Sequence, residues 1–259
     1  MSYMYFKEDG KKLSKEQFIY YYSKLYFLGS GYSNANSKIS EKRIKSILGK
    51  SKKEAYAEDE IFDILAWKTG NIIHSKSDNH IEYKKGWSFE TKKARIYSHN
   101  LDIHGITEAV NELKSRNCPF ETYLGVLKAF SGLGNVYIIT LRYFATRGED
   151  PIYDQYADRA IKAISGNFSG GYGLWVNGPD HFDLNDISDL TDPRSLIGKT
   201  DISLLIKSPD MSSLSNKRVD DVYNQYKELL IKVFDKDYKK REVDQALWTY
   251  GHLFSKSGL

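Results

Sequence analysis

The sequence predicts a mainly α-helical fold, on three observations. Proline is absent from residues 1–118, so nothing there forces a helix to break. Apolar residues recur at spacings of three and four in one segment after another. The clearest of these segments close on glycine, where helix C-termini favour it.

The elements follow in order. In "SKEQFIYYYSKLYFLGSG", Phe18, Tyr21, Tyr22, Leu25 and Leu28 share one face, with Ser14 as N-cap and Gly29 as stop. The tyrosines could stack on bases, but their spacing already explains them as an aromatic core face. "AEDEIFDILAWKTG" is a second helix, acidic in its first turn and ending in Lys68 and Gly70, as the macrodipole and C-cap favour. Residues 71–100 are polar, and His74, His80, His99 and His104 fall there or just beyond; none has the HxH or HExxH spacing of a metal site. A helix over 105–116 leads to Pro119. From there "PFETYLGVLKAF" continues as a helix, with Phe120, Leu124, Leu127 and Phe130 at apolar spacing. The turn "SGLG" follows, then a helix over 136–146, the loop "TRGED" and a helix from Gln155 to Ile164.

After Ile164 the texture changes. "SGNFSGGYGLWVNGPD" is glycine-rich and reads as loop. Asp180, Asp183, Asp186, Asp189 and Asp192 then recur every third residue, without the pattern of an EF-hand, and read as caps and solvated turns. Two helices close the chain, "NKRVDDVYNQYKELLIKVF" and "KREVDQALWTYGHLF". Any strands are expected to be short, within 71–100 or 165–207.

Composition narrows the function classes. At 259 residues the chain can form one generous domain or two lobes. Its 20 tyrosines and four tryptophans serve cores and base stacking equally well. A formal charge of +4 permits a polyanionic partner without demanding one. The single cysteine, Cys118, excludes an intramolecular disulfide and any cysteine-ligated zinc or iron–sulfur site, and reads as a small packed residue. No apolar run approaches the ~18 residues of a membrane span and the N-terminus has no signal-like apolar region, so a soluble, cytoplasmic protein with no membrane partner is expected. A monomer is expected as well.

One stretch carries chemistry. The helix from Pro119, the turn "SGLG" and the helix at 136–146 form a helix–hairpin–helix. Gly132 and Gly134 let the backbone turn tightly and offer N–H groups at a helix N-terminus, while Leu133 plugs the core. Such a turn grips a DNA phosphate without reading sequence. Asp154 stands twenty residues after Gly134, in "PIYDQYADRAI", where it is either an N-cap or a reactive carboxylate.

The pairing of "GLG" with "PIYD" resembles the helix-hairpin-helix DNA glycosylase superfamily, which includes endonuclease III, adenine glycosylase and 8-oxoguanine glycosylase. The similarity covers residues 119–164, and a fainter one covers "VDQALWTYGHLF" with its late glycine, Gly251. The resemblance implies two helical lobes with a cleft between them: one over 58–164, the other from 1–57 plus 165–259. It implies double-stranded DNA as partner, Asp154 as catalytic carboxylate, and Gly132, Leu133, Gly134 and Asn135 as the phosphate-binding hairpin. No cofactor is expected, beyond a monovalent cation that the family suggests at the hairpin backbone. Tyr153, Tyr156 and Trp248 are candidates for the base pocket, though each reads more readily as a core residue. Lys128, Arg142 and Arg147 are candidate phosphate contacts or plain surface.

Two departures from the family pattern matter. Bifunctional members carry a nucleophilic lysine two residues after the second hairpin glycine, where this chain has Val136. Members with an iron–sulfur cluster place a cysteine four residues after the late glycine, where this chain has Ser255. The resemblance therefore implies a monofunctional, cluster-free glycosylase acting in repair or against phage DNA with modified bases. The alternatives are a non-catalytic hairpin protein that binds DNA, and a helical protein whose Gly-Leu-Gly and Asp154 are a turn and a cap.

Overall fold

The computed structural model describes residues 5–6, 12–29, 34–77, 80–84, 86–91, 93–96, 99–165 and 208–255. The glycine-rich stretch from Gly166 to Gly178 and the aspartate series from Asp180 to Asp192 lie outside them. The described residues are mainly helical: α1 (Lys15–Gly29), α2 (Asn34–Leu48), α3 (Glu58–Lys68), α4 (Ile103–Ser115), α5 (Phe120–Leu127), α6 (Asn135–Ala145), α7 (Gln155–Ser165), α8 (Asn216–Phe234) and α9 (Arg241–Ser255). Short antiparallel pairs join β1 (Tyr5–Phe6) to β2 (Lys12–Leu13), β3 (Ile72–Ser77) to β4 (His80–Tyr83), and β5 (Arg95–Ile96) to β6 (His99–Asn100). The expected strands within 71–100 are present; the β1–β2 pair and helix α2 are not among the individually expected elements. No described helix is long and apolar enough to cross a membrane.

The chain divides into two compact units. The first comprises Met1–Gly31, Tyr153–Asp210 and Tyr223–Leu259; the second comprises Tyr32–Ile152 and Met211–Val222. The expected lobe limits at 58 and 164 are displaced. Helix α2 packs on α3 and β3 and so joins the second unit, whereas α7 packs on α9 and so joins the first.

In the first unit, α1 begins in a reciprocal capping box. The Gln17 N–H donates to Ser14 Oγ at 3.1 Å, and the Ser14 N–H donates to Gln17 Oε1 at 2.9 Å. Phe18, Tyr21, Tyr22 and Leu25 are buried, so the tyrosine face is core. The Phe18 ring lies 4.9 Å from Tyr22 and 5.2 Å from Tyr250 of α9, with tilted and edge-on geometry that suits aromatic quadrupoles.

The second unit is built around α6, which packs against α2, α3, α4 and α5. Its Ile138, Ile139, Leu141, Tyr143 and Phe144 are all buried. The buried carboxylate of Asp63 fastens neighbouring elements. It accepts from Arg43 Nε of α2 at 2.7 Å and from the Tyr83 hydroxyl of β4. Burial raises its pKa, and those two donors act the other way.

Candidate nucleic-acid interface and catalytic carboxylate

The hairpin lies in the second unit. Helix α5 starts behind Pro119, and its Phe120, Tyr123, Leu124 and Leu127 are buried. It ends at Leu127, three residues short of the expected limit, because the chain then folds into successive tight turns. The Ala129 N–H bonds to the Val126 carbonyl, Phe130 to Leu127 and Leu133 to Phe130. In the last of these turns Gly132 has φ +82°, the left-handed region where a side chain is strained. Packing makes the same demand, since a Cβ on Gly132 would stand 2.6 Å from His99 Cβ. Leu133 is buried, as its role as a plug requires.

Gly134 is different. Its φ is −73° and its ψ 164°, extended backbone open to any residue. An added Cβ would meet only the Tyr137 ring, at 3.7 and 3.8 Å, which is ordinary van der Waals contact. Neither strain nor a close contact imposes glycine here; Gly134 is the N-cap of α6, a position that favours glycine over alanine. Gly134→Ala is expected to change stability by less than about 1 kcal/mol, because the restriction alanine places on the unfolded chain is offset by its poorer fit at an N-cap. Gly132→Ala is expected to destabilise by more than that. Paired thermal unfolding of the two variants checks the contrast.

The N–H groups of the hairpin do not all face outward, as the sequence reading has them. The Leu133 N–H donates to Phe130 O and the Gly134 N–H to Gly132 O, each at 3.2 Å. The open donors are one step further on: the N–H groups of Asn135 and Val136, in the first turn of α6, have no backbone acceptor among the described residues. The Asn135 side chain is not part of that group. It is buried, and its Nδ2 donates to Met211 O at 2.6 Å, holding the 211–214 segment against α6.

The basic candidates separate clearly. Arg142 is structural: its Nε donates to Asp150 Oδ2 at 2.5 Å and its Nη1 to Cys118 O at 2.6 Å, with the guanidinium over the Tyr123 ring. This pairing pins the Thr146–Asp150 loop, so Arg142 is not a phosphate contact. Lys128 is exposed and donates to Asn216 Oδ1 at 2.9 Å, while Arg147 is exposed with φ +57°.

Asp154 lies in the first unit, at the N-cap of α7. Its Oδ1 accepts the Tyr156 N–H at 2.9 Å, and its carbonyl accepts the Asp158 N–H at 2.8 Å. The residue is half-buried, and the bond from the Tyr156 N–H orients its carboxylate at the start of α7. One turn on, Asp158 is buried and accepts from Ser208 Oγ and Lys162 Nζ, each at 2.6 Å, the compensation a buried charge needs. Ser208 stands 50 residues away in the chain, and no local pattern marks it.

Of the aromatic candidates, Tyr153 belongs to the core. It is buried, with its ring 5.2 Å from Tyr226 and its hydroxyl donating to Pro209 O. Burial, reinforced by the Asp158 and Asp154 charges, raises the pKa of both phenols, which stay protonated at neutral pH. Tyr153 is thereby removed from the base-pocket candidates. Tyr156 is half-exposed with the Arg159 guanidinium over its ring. Trp248 of α9 is half-exposed and meets Tyr26 edge-on at 5.2 Å, and Arg241 Nη2 donates to the Tyr26 hydroxyl at 3.3 Å.

His99 is a residue of this region to which sequence reasoning gave no role. Its Nδ1 lies 2.9 Å from Ser131 Oγ, at the tip of the hairpin. His104 instead pairs with Glu58 at 2.7 Å and with Glu108, and those carboxylates raise its pKa. Comparison of the chain with protein-family models, curated proteins and solved structures returns no match.

Proposed function

We propose that the chain is a monofunctional DNA glycosylase with the helix-hairpin-helix glycosylase fold. Such an enzyme removes a damaged or modified base by hydrolysing its N-glycosidic bond, and leaves an abasic site. The observation that carries the reading is the start of α6 behind Gly134, where the N–H groups of Asn135 and Val136 have no backbone acceptor among the described residues. Two such donors at a helix N-terminus, with the helix dipole behind them, suit a phosphate oxygen. The twenty residues of chain between Gly134 and Asp154, the spacing on which the family resemblance rests, support the second half of the reading.

In this mechanism the target nucleotide leaves the base stack, at a cost that is least for damaged or mispaired bases. As the C1′–N bond breaks, the base departs with the bonding electrons and takes up a proton, and positive charge grows on the sugar. Asp154 stabilises that charge, as carboxylates do in glycosidases. A water then bonds to C1′ and passes its proton to the Asp154 carboxylate. Tyr156 and Trp248 are the remaining candidates for contacts to the base. A monovalent cation, if bound, supplies further neutralisation of phosphate charge. The second lone pairs of the Phe130 and Gly132 carbonyls are donors suited to it.

The absence of a lysine at Val136 argues against strand cleavage through a Schiff base. Reaction with modified DNA is expected to yield sites that break only on heating with alkali, and borohydride is expected to trap no covalent complex. Trapping would contradict the monofunctional assignment. The substrate belongs to host repair or to defence against phage DNA. A second reading, a non-catalytic DNA-binding hairpin, is favoured by one fact: Asp154 Oδ1 does serve as an N-cap.

A further inference from the structure

Within the second unit the β5–β6 ribbon lies directly against the tip of the hairpin. The approach is close enough that His99 Cβ and Leu101 Cδ2 would stand 2.6 and 3.3 Å from a Cβ on Gly132. The ribbon is anchored from its inner side: Ala94, Ile96 and Leu101 are buried, and the Leu101 N–H donates to Ala94 O at 2.8 Å. Strand alternation then sends Lys93 and Arg95 outward, and both are exposed. His99 is exposed at the ribbon's other strand, and Ser131 Oγ fixes its ring through Nδ1. The other ring nitrogen, Nε2, has no partner among the described residues.

That pairing has a chemical consequence. When the Ser131 hydroxyl donates to Nδ1, the ring hydrogen resides on Nε2 and that nitrogen becomes a donor. An anion at Nε2 selects this tautomer, and Ser131 is already in place to support it. We infer that His99 and Ser131, together with Lys93 and Arg95, form a second phosphate-contacting edge beside the hairpin, fitted to the sugar–phosphate backbone of duplex DNA. The inference rests on the DNA-binding reading above and adds an element to it. The hairpin offers neutral backbone donors, while the ribbon offers an oriented imidazole beside the exposed cationic side chains of Lys93 and Arg95. Contacts of this kind set register on the duplex and carry no sequence information. Asp102, three residues beyond His99, is exposed but already accepts the Gly105 N–H at 3.0 Å, and Glu90, three residues before Lys93, is also exposed.

The test is fluorescence anisotropy of the full chain with a short labelled duplex containing an abasic-site analogue, over a range of salt concentrations. His99→Gln keeps the Cβ that packs on Gly132 and is expected to weaken binding by about 3- to 10-fold, the worth of one hydrogen bond. Lys93→Gln and Arg95→Gln are each expected to reduce the slope of log affinity against log salt by about 0.9. Matched thermal midpoints establish that the variants are folded. Tight binding by the unmodified chain with unchanged affinity and slope in all three variants overturns the inference and leaves the hairpin reading standing. Failure of the unmodified chain to bind any duplex overturns both.

Discussion

Asp154→Asn is expected to bind a duplex as tightly as the unmodified chain and to lose about 100-fold or more in base release. The two halves of that expectation have separate causes. Asparagine is as good an N-cap as aspartate, so its Oδ1 can keep the bond from the Tyr156 N–H, now 2.9 Å long, and α7 keeps its start. What is lost is the negative charge opposite a developing oxocarbenium ion, and removing one such preorganised interaction costs on the order of 10²–10³ in rate. If Asp154 is only a cap, the variant is silent in every assay. Single-turnover release of base from a competent substrate, measured beside DNA affinity, separates the two cases.

Gly251→Ala is expected to destabilise the protein by about 3 kcal/mol or more, although helix propensity alone favours alanine over glycine by about 1 kcal/mol. The sign reverses because α9 meets the backbone of α7 at this position. A Cβ on Gly251 would stand 2.0 Å from the Tyr156 carbonyl oxygen and 2.5 Å from its carbon. No rotamer relieves a clash with backbone, so the helices must part, beyond the usual overpacking cost of about 1–3 kcal/mol. The displaced turn is the one that holds Asp154, two residues before Tyr156, so base release is expected to fall with stability. Thermal and urea unfolding check the first effect; an unchanged or raised midpoint would contradict the packing described here.

The sequence made some of this legible and hid the rest for physical reasons. Helices α6 and α7 announce themselves through apolar spacing and bounding glycine, proline and aspartate, and the observed limits differ from the expected ones by a residue. Ser14 was readable as a cap because its partner Gln17 is local. Helix α2 is mostly polar, so its pattern is faint, and the β1–β2 pair joins two residues to two. The division between units is set by which helices pack together, and α7 follows α9, nearly a hundred residues away. His99 carries no signal in its own neighbourhood. Its place beside Ser131 and Gly132 comes from the ribbon's packing, 32 residues away along the chain. The hairpin was legible as a motif, but not which of its N–H groups the turn itself consumes. Gly134 shows the reverse: its identity is plain in the sequence, and only its geometry reveals that it serves as the N-cap of α6 with neither a left-handed backbone nor a close contact imposing it.

The activity proposed for this chain is cleavage of N-glycosidic bonds in DNA. The most direct measurement is mass spectrometry of free bases released from a panel of oxidised, alkylated, deaminated and phage-type modified duplexes, with Asp154→Asn in parallel. Release of one class of base by the unmodified chain, suppressed in the variant, is the expected result. A chain that binds these duplexes and releases no base from any of them would contradict the claim and leave a DNA-binding hairpin in its place.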